Sequence, residues 1–301
     1  MSFRRALWVA GVVAMSLAAP AIVQAQGDYL DVYIVKVKPE KTTEFNTLAK
    51  KVAEANRRNN GDRWLGMEIV YGEGDTVQFV STRQDYAETD KASAAFMGAL
   101  SKAYGKDGAE KMLRDWENCL AGSRSELRRR RWDLSRKAPA DEAAYAKLIG
   151  EGRLLRTTAV HVRPGRAVEF EALLKEAKEA GEKNANTQPV LVSQTVEGGK
   201  GTTFYVSTLR TSIGGFDKNP TTREILGEEG YKKYLQVNAE VVEGTESALY
   251  RFSPEISSPP EDVAKVASDF WHPKPVVAAA SPKAKAPAVQ PAAAKEAAKK
   301  P

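Results

Sequence analysis

The chain has 301 residues, is 42% hydrophobic and 28% charged, and carries a formal net charge of +6. That charge belongs to the ends: residues 1–26 supply +2 and residues 273–301 supply +5, which leaves −1 for residues 27–272. A nucleic-acid-binding reading of the central part therefore loses its electrostatic basis, and one cysteine, Cys119, excludes any intrachain disulfide.

The first segment reads as an export signal. Arg4 and Arg5 precede an apolar run from Leu7 to Ala19, too short to span a bilayer comfortably. Val23-Gln24-Ala25 predicts cleavage after Ala25, which makes residues 1–25 a signal peptide. No cysteine follows, so a lipoprotein anchor is not expected. Arg4-Arg5 fits an ordinary secretion leader better than a twin-arginine one. The expected location is the periplasm or the cell exterior.

Tyr29 to Lys38 is rich in β-branched and aromatic residues and stops at Pro39, which predicts a strand. Phe45, Leu48, Ala49 and Val52 then recur at helical spacing. Trp64 to Tyr71 and Thr76 to Arg83 are two strands joined by the turn Gly72-Glu73-Gly74-Asp75. A longer helical region, Glu88 to Ala121, is broken near Tyr104-Gly105. A last strand runs from Ser125 to Leu134.

The same order then repeats. Val37-Lys38-Pro39 with Glu44-Phe45 returns as Val162-Arg163-Pro164 with Glu169-Phe170. Phe79-Val80-Ser81-Thr82 returns as Tyr205-Val206-Ser207-Thr208, and the stretch Gly108 to Leu127 returns as Gly230 to Leu249. Register offsets of 125, 126 and 122 residues mark small loop insertions and deletions. The second set of strands is Leu155 to Arg163, Pro189 to Val196, Thr202 to Leu209 and Ser247 to Ile256. Phe170, Leu173, Leu174 and Ala177 repeat the first helix.

Each copy is thus β-α-β-β-α-β, the ferredoxin-like arrangement. The expected organisation is one unit at 27–135, a linker at 136–153 with a short helix near Ala143–Ile149, and a second unit at 154–258. An extended segment and an Ala/Pro/Lys-rich disordered tail follow at 259–301. Each unit is long enough to build a core without disulfides. The two halves carry +3 (27–139) and −4 (140–272), which is compatible with their packing together. Cys119 aligns with Val241 and reads as a small buried hydrophobe rather than a nucleophile.

The strand ending in Val-Lys-Pro or Val-Arg-Pro, followed by Glu-Phe and an amphipathic helix, resembles the dimeric α+β barrel superfamily. That group includes monooxygenases of the antibiotic-biosynthesis type and NIPSNAP-like proteins. The resemblance covers nearly all of residues 29–258. It implies an α+β fold in which two ferredoxin-like units pack sheet to sheet around a central cavity. Here they would form one intramolecular pseudo-dimeric barrel, a monomer with pseudo-twofold symmetry. Oxygenases, isomerases and haem proteins share that fold, so the resemblance implies no single reaction.

Candidate chemistry follows from strand alternation. Val35 and Val37 pack under a helix, so Lys36 points to the cavity, as does its counterpart His161. Either could act as a base, and His161 equally suits a hydrogen bond inside the sheet interface. The run Arg128-Arg129-Arg130-Arg131 splits two and two across the faces, so one pair faces the interior or the helices. Arg129 and Arg131 share the face of Leu127; Arg128 and Arg130 share that of Glu126. Arg251 repeats Arg129, and Tyr250 and Phe252 repeat Arg128 and Arg130. Arg129, Arg131, Arg251 and Tyr250 are the candidate ligand-binding residues, for an anionic or aromatic small molecule. The competing reading pairs the arginines with Asp31, Glu68 or Glu126.

No cofactor is expected. Haem-binding members of the superfamily place an axial histidine on a helix, and neither His161 nor His272 lies on a predicted one. No Cys/His/acid spacing fits a metal, no glycine loop precedes a helix, and no nucleophile motif accompanies a Ser-His-Asp set. Trp64, Trp116 and Trp132 read as core or cavity wall. Ligand binding, cofactor-independent oxygenase or isomerase activity, and an envelope protein tethered by its basic tail all stay open. That tail could contact envelope polymers or other anionic surfaces.

Overall fold

The computed structural model describes residues 28–272; the expected signal segment and tail, residues 1–27 and 273–301, lie outside that range. The first unit comprises β1 (Tyr29–Val37), α1 (Thr42–Arg58), β2 (Leu65–Tyr71), β3 (Thr76–Arg83), α2 (Tyr86–Tyr104), α3 (Lys106–Asn118) and β4 (Leu120–Arg130). After α4 (Glu142–Glu151) the second unit repeats it: β5 (Leu154–Val162), α5 (Ala167–Lys183), β6 (Leu191–Glu197), β7 (Thr202–Arg210), α6 (Thr222–Val241) and β8 (Val242–Phe252). Two short helices follow, α7 (Glu261–Val266) and α8 (Ser268–Trp271).

All eight strands close into one antiparallel barrel in the order β1-β3-β2-β8-β5-β7-β6-β4. Within each unit the order is ferredoxin-like, and the units meet at two junctions, β2 with β8 and β4 with β6. Closure leaves no exposed sheet edge. Barrel, order and helical cover make this a dimeric α+β barrel built within one chain.

The duplication extends to irregularities. The β1–β4 ladder shifts register between Lys36 and Val37, and the β5–β8 ladder shifts between His161 and Val162. The Lys38 amide donates to the Cys119 carbonyl, as the Arg163 amide does to Val241. Cys119 and Val241 are both fully buried. The break near Tyr104-Gly105 is confirmed at Gly105, where φ is +74°, and α6 kinks at Gly227, where φ is +70°. Only glycine takes such positive φ values without strain.

Each unit buries its helices against one sheet face. Phe45, Ala49 and Cys119 pack on Val35, Val37 and Val77. Phe170, Leu173 and Val241 pack on Val160, Val162 and Phe204. The opposite face of every strand lines the barrel interior.

Several boundaries differ from the sequence reading. The helical region ends at Asn118 rather than Ala121, and β4 and β8 begin and end earlier than read. Ladder bonds to the full length of β1 and β5, reached through the bulges, hold the segments from Leu120 and Val242 extended. Residues 261–271 are helical, not extended. These helices pack on α4: Val263 and Ala264 are buried, and Trp271 is fully enclosed, its Nε1 donating to the Gly150 carbonyl at 3.0 Å. With Tyr145 and Ile149 of α4 they close one end of the barrel.

Candidate functional site

Strand alternation aims Gln78 of β3, Arg128 of β4, Thr157 of β5 and Tyr205 of β7 into the interior. Gln78, Arg128 and Thr157 border two cavities, one on each side. The cavity at the closed end has a volume of about 100 Å³. The one toward the other end has about 530 Å³ and reaches the exposed side chains of Lys36 and Glu73.

Arg128, which borders both cavities, is held in a charged cluster. Glu126, 4% exposed, accepts at Oε2 from Arg128 Nε at 2.8 Å and from the Tyr205 hydroxyl at 2.8 Å. Its Oε1 lies 3.1 Å from Arg124 Nε. The Arg128 guanidinium sits 3.4 Å above the centre of the Tyr205 ring, so an ion pair, a hydrogen bond and a cation–π contact meet on one residue. Burial pushes the Tyr205 and Tyr250 hydroxyls above the ordinary phenol range, and the Arg128 charge opposes it in both.

The closed end is apolar with cationic inserts. Arg130 is 7% exposed, donates to the Tyr145 hydroxyl at 2.5 Å, and lies 4.4 Å from the Tyr145 ring centre and 5.3 Å from that of Trp132. Burial lowers its pKa, and the adjacent Tyr145 opposes that; a guanidinium stays protonated regardless. Met67, Leu155, Leu209 and Phe252 form much of the remaining wall. No acidic side chain lines this cavity among the described residues.

The sequence candidates fall in different places. Lys36 lines the larger cavity, as the alternation predicts, and is ion-paired with Glu73. Tyr250 points inward and lines the same cavity. His161 lines neither cavity; its Nδ1 lies 3.0 Å from the Thr203 hydroxyl and its Nε2 lies 3.5 Å from Glu246. Because that hydroxyl donates to the Lys200 carbonyl, His161 Nδ1 is the donor in their contact.

Arg129, Arg131 and Arg251 are on the outer face. Arg129 is exposed and donates to the Tyr29 hydroxyl at 2.9 Å. Arg131 is held by Asp133 at 2.8 Å and Glu171 at 2.6 Å. Arg251 is exposed opposite Glu68. The inward pair is Arg128 and Arg130 instead. The signal was present in the second copy: Tyr250 and Phe252, the large apolar residues at their positions, mark that parity as the buried one.

No group of three or more His, Cys, Asp or Glu side chains could hold a metal ion among the described residues. No helix there is long and apolar enough to cross a membrane.

No protein-family model matches the chain, and no curated protein matches it with significance. Similar solved structures share the fold. A proposed monooxygenase from Lactobacillus acidophilus superposes with a TM-score of 0.46 at 10% identity, covering 74% of this chain and 93% of its own. An anthrone oxidase-like protein gives 0.47 at 12%, covering 75% and 91%. A variant of chlorite dismutase from Candidatus Nitrospira defluvii gives 0.45 at 10%, covering 80% and 96%. Likeness at this level carries no reaction over to this chain.

Proposed function

We propose that the chain binds a small anionic or aromatic molecule inside the barrel. The observation that supports this is the closed-end cavity. A largely apolar chamber that carries two buried guanidiniums and an unpartnered, buried Trp132 Nε1 on its wall, with no acid lining it, suits an apolar ligand bearing a negative or hydrogen-bond-accepting end. A buried indole N–H left without an acceptor is costly, and a ligand acceptor would satisfy it. Native mass spectrometry of the full chain, purified without added ligand, tests the reading. A small molecule released on denaturation supports it; a chain that never carries one and takes up none from a panel of small aromatic acids refutes it.

A catalytic reading, as a cofactor-independent oxygenase or isomerase, is favoured by the Glu126–Arg128–Tyr205 cluster, whose Arg128 and Tyr205 line the larger cavity. On that reading Tyr205→Phe abolishes turnover, while His161→Ala, outside both cavities, leaves it intact.

Export and tail function rest on sequence. The leader directs the chain to the periplasm or beyond, and the basic tail tethers it to an anionic envelope surface. Deletion of residues 273–301 should then release the protein from the envelope fraction; retention would rule out the tether.

A further inference from the structure

We infer that the closed-end cavity takes a small amphipathic monocarboxylate, its carboxylate on the β4–β6 junction and its apolar body on the β2–β8 junction. This rests on the ligand-binding reading above and deepens it.

The two junctions are the same structure made twice, and they have diverged in chemistry. Arg128 pairs with Thr195 and Arg130 with Ser193 across the first. Tyr250 pairs with Ile69 and Phe252 with Met67 across the second. At all four equivalent positions a polar or cationic side chain on one junction is matched by an apolar or aromatic one on the other. The strand order sets β4 across the barrel from β8, and β6 across from β2. The interior is therefore polarised from wall to wall, and a ligand that satisfies both walls has one charged end and one apolar end.

One buried donor on the cationic side is unused. Arg128 engages Glu126 through Nε and Nη2. Trp132 lines the cavity, and its buried Nε1 has no partner. A buried donor left unsatisfied is destabilising, so an acceptor belongs there. Arg128 already donates through Nε and Nη2 to the Glu126 carboxylate, so a ligand carboxylate would be met by its remaining N–H groups beside the Trp132 indole. A second carboxylate on the ligand would be pressed against Met67 and Phe252, which excludes dicarboxylates. Size limits the body further. An engineered cavity of about 150 Å³ admits benzene, so one of about 100 Å³ takes at most a single ring or a short branched chain.

Isothermal titration of the full chain with benzoate and isovalerate tests this, with toluene as the uncharged probe. Benzoate should bind one to one. Trp132→Phe, which removes one N–H, and Arg128→Lys, which keeps the charge but loses the fork, should each weaken it about tenfold. Toluene affinity should not change in either. If toluene binds and benzoate does not, or benzoate ignores both substitutions, the carboxylate assignment is wrong while the cavity reading stands. If none of the three probes binds, both fail. Should Arg128→Lys not fold, Trp132→Phe decides alone.

Discussion

Arg128 and Tyr250 hold the same place at the two junctions of one barrel, the first facing Thr195 across β4–β6 and the second facing Ile69 across β2–β8. In a barrel made of two separate identical chains these positions would be occupied by the same residue. Fusion into one chain lets them differ, and the neighbouring equivalent pair, Arg130 and Phe252, differs likewise inside the closed-end cavity and gives it a direction.

Glu126 holds this arrangement together. It is buried against Arg124, Arg128 and the Tyr205 hydroxyl. Glu126→Gln leaves the Arg128 guanidinium buried without its counter-charge, which costs about 3 kcal/mol or more. Urea denaturation should show that loss. The double variant with Arg128→Gln should recover part of it, because a neutral pair removes the stranded charge.

The closed end depends on residues the repeat does not contain. Trp271 is fully buried, stacks edge-on against Phe252 with ring centres 5.7 Å apart, and bonds Gly150. Trp271→Ala should cost about 3–5 kcal/mol and open the small cavity toward α4. Thermal unfolding measures the first effect. Faster ligand release in stopped flow measures the second.

Where the fold was legible, the reason is repetition. Lys36 could be placed on the inward face because Val35 and Val37 alternate around it, and the second copy repeats the pattern around His161. The arginine run was harder. Four identical residues carry no alternation of their own, and Gly122 to Ser125 offers no apolar residue to set the parity. Only comparison with Tyr250 and Phe252 breaks the tie. Residues 261–271 escaped because two helices of six and four residues are too short for a helical period to show. Trp132 was readable as cavity wall, but its unused N–H is a tertiary fact.

Arg131, outside the barrel, supplies a pH signature. Hydrogen bonds from it hold the Asp133 and Glu171 carboxyls below their ordinary ranges. A depressed folded-state pKa gives stability that is present above the unfolded value, near pH 4, and is lost as pH falls through the folded value. Arg131→Gln should therefore lower stability at neutral pH by roughly 1 kcal/mol, screened because Asp133 is half exposed. The two proteins should converge once pH has fallen below both folded-state values. Urea midpoints across that range check it; a constant gap would mean the effect is not electrostatic.

The β6–β7 hairpin reaches across the junction. Gly198 has φ of +77°, and a Cβ there would lie 2.0 Å from the Ser125 carbonyl oxygen of β4. Gly201, φ +58°, has open space around it. Gly201→Ala should cost about 1 kcal/mol of backbone strain, and Gly198→Ala about 3 kcal/mol, since strain and collision add. Equal costs would show that the hairpin does not pack on β4 as described.

The polarity of the cavity is the central claim, and the orientation of a bound acid tests it most directly. Fluorine-19 NMR of 4-fluorobenzoate on the full chain reports which side chains surround the ring's far end. Overhauser contacts from the fluorine to the Met67 methyl and the Phe252 ring, with the Trp132 indole N–H shifted by the carboxylate, are the predicted result. Fluorine contacts to Ser193 and the Arg130 side chain instead would reverse the ligand and contradict the account.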